Sequence, residues 1–177
     1  MLDDLDNLID ELSVRVVQKT QTAFATSQYP GDDDLVEDKS YWEAINLSEQ
    51  FRGKDWKKID LKVLKKNRFS LSLFTPEAFH YYLPTFILAS VLHPDEVDTL
   101  PDSVFYSLTP PEEEGAEMDK FRRRTENFNA TQRESIREYI ELYTTIETSY
   151  SDSKKERAIN FWTQHNAPSI PDKNDYR

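Results

Sequence analysis

The residues best suited to chemistry fall in two short stretches, Tyr29 to Asp34 and Glu77 to Tyr82. Glu77 and His80 form a Glu-x-x-His pair, a spacing that puts both side chains on one face of a helix. Di-iron bundles use two such pairs and two further glutamates, and this chain has no second Glu-x-x-His. The pair therefore reads as a first-turn glutamate beside a hydrogen-bonded core histidine. Tyr29-Pro30-Gly31-Asp32-Asp33-Asp34 offers three carboxylates, a set that could attract Ca²⁺ or Mg²⁺ through oxygen. The calcium-loop spacing and its bidentate glutamate are missing, so the stretch reads as a solvated turn whose aspartates cap the backbone of the next segment. His80-Tyr81-Tyr82 concentrates polar tips in an apolar run. Buried tips need partners. They either line a small pocket or build a polar network around carbonyls freed by Pro84. The candidate binding residues are Tyr29, Asp32, Asp33, His80 and Tyr82. No catalytic, cofactor-binding or metal-ligating residue is assigned.

Other chemistries find less to work with. The chain has no cysteine, which removes thiol nucleophiles and Cys-ligated zinc or iron–sulfur sites. Serines are plentiful and there are three histidines, but no nucleophile-elbow sequence occurs. The only glycines are Gly31, Gly53 and Gly115, too scattered for a phosphate-cradling loop. Arg122-Arg123-Arg124 could meet a phosphate, yet Glu112-Glu113-Glu114 and Glu117 lie close enough to neutralise it. Asn46-Leu47-Ser48 and Asn129-Ala130-Thr131 match glycosylation acceptors without a secretion signal to support their use.

Helices must position these residues. Residues 2–25 carry Leu2, Leu5, Leu8, Ile9, Leu12 and Val16 at helical spacing, with Phe24 on the same side. A second helix is expected from Ser40 to Phe51, inward through Tyr41, Trp42, Ile45 and Leu47 or Ser48, and stopped by Gly53. One or two short helices come next, around Trp56, Ile59, Leu61 and Leu64. Residues 69–74 alternate apolar and polar and fit a strand or a helical turn. The central element runs over 75–93, with Thr75 as N-cap and Pro76 at the first helical position. Its apolar residues cover most of the circumference, which buries it, and Pro84 must kink or restart it. Residues 94–116 read as loop, with a short helix near Asp102 to Leu108, and the charged blocks at 112–124 as partly flexible. Asn129 and Gln132 make a capping box for a helix to about Ile146. A last helix spans about Asp152 to His165, inward through Ala158, Ile159 and Trp162.

The expectation is an all-α, single-domain bundle of about six to eight helices over 1–166, around a central Pro-kinked apolar helix (75–93). A loosely ordered tail occupies 167–177. Ten Phe, nine Tyr and three Trp supply large buried area from few side chains. The formal charge of −11 disfavours nucleic acid and anionic membranes. No apolar run approaches the length of a membrane span and no signal peptide is recognisable, so a cytoplasmic location is expected.

Several of these stretches together resemble a known family. They are Tyr29-Pro-Gly-Asp-Asp33, then Phe51, Gly53 and Trp56, then Thr75-Pro-Glu-Ala-Phe79 through Tyr82-Leu-Pro84 and Phe86. Gln132, Ile136 and Tyr139 come after these, and finally Ala158 and Trp162. The chain is similar, from about Tyr29 to Trp162, to an uncharacterised bacterial family of domains of unknown function. The TPEAFxYYLPxF segment is the most specific part. The resemblance implies a helical cytoplasmic domain and carries no catalytic residues. The function expected is a non-enzymatic acidic protein-interaction domain, regulatory or immunity-like, with a protein partner that a basic surface would suit. A homodimer is compatible with the sequence. The alternative is a small-ligand binder or enzyme with its site near His80 and Tyr82.

Overall fold

The computed structural model describes residues 2–164. The expected tail at 167–177, the domain limit at 166 and His165 lie outside the described residues. Eight α-helices form among them: α1 (Leu2–Ala23), α2 (Trp42–Phe51), α3 (Leu61–Lys66), α4 (Pro76–Leu92), α5 (Leu100–Leu108), α6 (Ala116–Thr125), α7 (Ala130–Ile146) and α8 (Asp152–Gln164). Short 3₁₀ turns occupy Trp56–Lys58 and Ser70–Leu73, and the described residues contain no strand. Residues 69–74 are thus a helical turn, ending in one isolated bridge between Val36 and Phe74.

α4 is the hub. Thr75 Oγ1 accepts from the Ala78 amide at 3.0 Å, and Pro76 follows at the helix start. Phe79, Tyr82, Leu83, Phe86 and Ile87 are fully buried. Each such side chain contributes roughly 1.5–3 kcal/mol by leaving water. α1, α5 and α6 pack on α4, and α7 packs between α1 and α8. The helix continues through Pro84, which has no N–H to offer the His80 carbonyl. Phe51, Phe74, Tyr82 and Phe86 interlock beside it with ring centres 4.9–6.3 Å apart.

α7 opens with the capping box, Asn129 accepting from the Gln132 amide at 3.0 Å and Gln132 from the Asn129 amide at 3.1 Å. It is tied to α1 by the buried Glu138, which pairs with Lys19 and with Arg15 (3.2 Å). Arg133 closes the α6–α7 corner, donating to the carbonyls of Phe128 (3.0 Å) and Thr125 (2.8 Å) while its guanidinium faces the Trp162 ring. Trp162 pins α8 by donating to the Leu108 carbonyl at 2.7 Å.

The structure corrects three expectations. Tyr41, Trp42 and Ile45 point outward, Trp42 with 69% of its surface exposed. Ala44, Leu47, Ser48 and Phe51 form the inner face of α2 instead. Residues 116–125 are helical, because Phe121 and Thr125 are buried while Arg122 pairs with Glu114 and Asp119 on the outside. The outer half of α1 leaves Leu5 and Leu8 exposed, since its core contacts are concentrated further along, at Val16 and beyond.

Candidate functional site

The residues singled out by sequence separate into two groups. Tyr29 and Asp32 come together. The Tyr29 hydroxyl donates to Asp32 Oδ1 at 2.7 Å and accepts from the Gly53 amide at 2.8 Å. Burial and the bond to Asp32 push that hydroxyl above the ordinary phenol range. The Tyr29 ring meets Tyr81 edge-on, and Tyr81 in turn packs on Tyr82. The Tyr82 hydroxyl donates to the Phe51 carbonyl (2.7 Å), with the Lys54 carbonyl at 3.0 Å. Burial first, then the nearby Tyr29 and Tyr81, keeps it protonated far beyond neutral pH. This cluster ties the Tyr29–Asp34 turn and α4 to the chain leaving α2, satisfying carbonyls that the helix end leaves over. Asp33 joins it only along the chain; its backbone carbonyl accepts from Lys39 at 3.0 Å.

His80 lies elsewhere. Two residues from Tyr82, it leaves α4 on another side and meets the start of α7. Its Nε2 donates to Gln132 Oε1 at 2.9 Å, the same oxygen that caps Asn129. The ring sits between Phe24 and Phe128, with centres 5.9 and 4.8 Å away. Burial drives its pKa down, and the bond to Gln132 opposes that in part. The carbonyls freed near Pro84 supply neither its partner nor that of Tyr82.

A cleft that no sequence motif indicates opens elsewhere on the surface. It has a volume of about 790 Å³ and lies between the 68–72 turn, α5 and its exit, α6, and the start of α8. That volume is of the size that small ligands and peptide side chains occupy. Tyr106 and Phe69 stand on its walls with 72% and 67% of their surface exposed. Its lining holds five cations, Arg68, Lys120, Arg124, Lys154 and Arg157, against three carboxylates, Asp102, Glu112 and Glu117.

The arginine block divides here. Arg122 turns out and forms a two-pronged pair with Glu114 at 2.6 and 2.8 Å. Arg124 turns in, its guanidinium 4.8 Å from the centre of the Phe79 ring. Its one hydrogen bond is a long 3.4 Å contact to the Ser107 carbonyl, and its Nε is buried without a partner. Burial lowers its pKa. Lys154 sits 4.4 Å from the Tyr150 ring centre and within 6 Å of those of Phe105 and Tyr106. Burial and the neighbouring Arg157 lower its pKa as well. Asp102 is occupied by the Tyr143 and Tyr150 hydroxyls. Arg157 is held by Glu112 (3.2 Å) and the Pro110 carbonyl (2.9 Å). Among the described residues no group of three or more His, Asp or Glu is placed to hold a metal ion.

Sequence comparison matches residues 2–166 to the model of a family described as a family of unknown function. No curated protein and no solved structure matches the chain.

Proposed function

The chain belongs to that family, DUF6714, and from its geometry we propose that it is a non-enzymatic protein-interaction domain, regulatory or immunity-like, that docks a partner segment in the α5–α6–α8 cleft. One observation carries the reading: a cleft of about 790 Å³ flanked by the exposed rings of Tyr106 and Phe69 and floored by Arg124. Tyr and Arg dominate interface energetics, because each combines large contact area with directed polar groups. A ring exposed in the free protein gains most by being covered.

The polar tips of His80 and Tyr82 are already engaged, on Gln132 and on the carbonyls after α2, and they face different elements. The alternative of a shared ligand site there draws no support from this arrangement. A cytoplasmic location goes with the docking reading. No helix among the described residues is long and apolar enough to cross a membrane.

The test is a photocrosslinker, p-benzoylphenylalanine, placed at Tyr106 or at Trp42 in the protein expressed in its own host. Crosslinking from position 106 should yield one discrete partner, identified by mass spectrometry, and Phe69→Ala should abolish it. Chaperones alone, or the same products from both positions, would remove the cleft as the docking face.

A further inference from the structure

We infer that the occupant of this cleft is an acidic, extended protein segment that places a carboxylate on Arg124 and Lys154, an assignment that rests on the docking reading above. Arg124 is a half-buried charge with no carboxylate at ion-pair distance among the described residues, Glu37 and Glu117 acting on it only from further off. A guanidinium has five donors, and a buried one is ordinarily paired with a carboxylate or fully hydrogen-bonded. Arg124 has one weak contact at 3.4 Å and an orphaned Nε. Other buried or half-buried cations are better served. Arg137 is clamped by Glu134 and Glu141. Arg133 and Arg68 each also hold one nitrogen without a partner, but Arg133 makes two carbonyl bonds at 3.0 and 2.8 Å and Arg68 has Asp98 at 3.6 Å. Lys154 is in the same position as Arg124, held against rings with no carboxylate at ion-pair distance among the described residues.

Charge complementarity then selects the partner. Over the whole chain acidic residues outnumber basic ones by 33 to 22, whereas cations predominate in the cleft. Such an inversion inside an acidic surface draws an anionic group to one place and repels it elsewhere, which fixes register as well as affinity. An oxyanion between Arg124 and Lys154 would supply the missing acceptor. Planar carboxylate geometry matches the arginine fork. The exposed rings of Tyr106 and Phe69 line the same cleft and would take apolar side chains of the same segment. A lone small anion would leave both rings uncovered.

The probe is a fluorescently labelled random copolymer of glutamate and tyrosine, followed by anisotropy against the full-length chain. Binding is expected to weaken at least tenfold in Arg124→Ala and in Lys154→Ala, and to weaken with rising salt. Lys62→Ala, on α3 and away from the cleft, should bind like the wild type. Arg124 also packs on Phe79, so circular dichroism accompanies each variant, and Lys154→Ala decides the matter if Arg124→Ala unfolds. The inference is overturned if the copolymer does not bind, if the cleft variants bind it undiminished, or if a lysine–tyrosine copolymer binds equally and loses that binding in the same cleft variants. A double-stranded oligonucleotide that binds and is lost in the same variants would make this a nucleic-acid site and overturn it too. The crosslink from position 106 does not depend on charge. If it survives while the copolymer fails, docking stands and the acidic occupant falls.

Discussion

His80 is held neutral between Phe24 and Phe128, and this has a measurable consequence. Burial lowers its folded-state pKa below the ordinary value of 6.5, so the folded chain takes that proton less readily than the unfolded one. Stability from this site is complete above about pH 6.5 and is lost as pH falls through the lowered folded value. Urea midpoints should therefore fall more steeply between pH 7.5 and 5.5 in the wild type than in His80→Gln, and equal slopes would refute a buried neutral imidazole. Tyr82 gives a second prediction. Tyr82→Phe keeps the ring and removes the hydroxyl from the Phe51 and Lys54 carbonyls, while the Lys54 amide still serves the Phe51 carbonyl, so the loss should be about 0.5–1.5 kcal/mol in equilibrium denaturation. At this scale the sequence shows that the polar tips of 80–82 need partners. It does not show which partners, because Gln132 and Phe51 lie 52 and 31 residues away along the chain.

Helix boundaries obey local rules and are readable where those rules act. Thr75-Pro76 and Asn129 with Gln132 stand where sequence places them, since a cap involves only its own first turn. Asn129→Ala should cost about 1 kcal/mol. Gln132→Ala should cost more, because the same amide oxygen also accepts from His80. Helix faces are harder to read. In α2 the residues Tyr41, Trp42 and Ile45 mimic an inner stripe as well as Ala44, Leu47, Ser48 and Phe51 do, and bulk misleads about which side is packed. Trp42→Ser should change stability by no more than about 0.5 kcal/mol, against roughly 3–5 kcal/mol for Phe51→Ala. The reverse order in thermal melts would return Trp42 to the core. α6 is hidden for another reason: ten mostly polar residues show no stripe until Phe121 and Thr125 find the core and Arg122 finds Glu114. The cleft draws its walls from segments beginning near 68, 102, 117 and 150, and no pattern within one helix encodes such a meeting.

For the whole molecule, the formal charge of −11 acts on everything at once. Much of it sits on exposed carboxylates without a close cation, so the folded state repels itself, and salt should relieve this. The Debye length falls from about 30 Å at 0.01 M salt to about 10 Å at 0.1 M, which is enough to screen carboxylates on separate helices from one another. Exposed pairs such as Arg122 with Glu114 lose strength in the same salt, but water screens them so well that they contribute little to begin with. The net effect should be a melting temperature that rises between 10 and 300 mM NaCl. Glu113 isolates the cause. It is exposed and makes no ion pair among the described residues, unlike Glu112 and Glu114 on either side of it. Glu113→Gln removes one repulsive charge and no contact. At low salt it should add a few tenths of a kcal/mol, about 1 °C for a chain this long, and at 300 mM NaCl the gain should vanish. A gain that persists in salt would mean that Glu113 disfavours the fold by some route other than charge, and a loss at low salt would place a cation beside it.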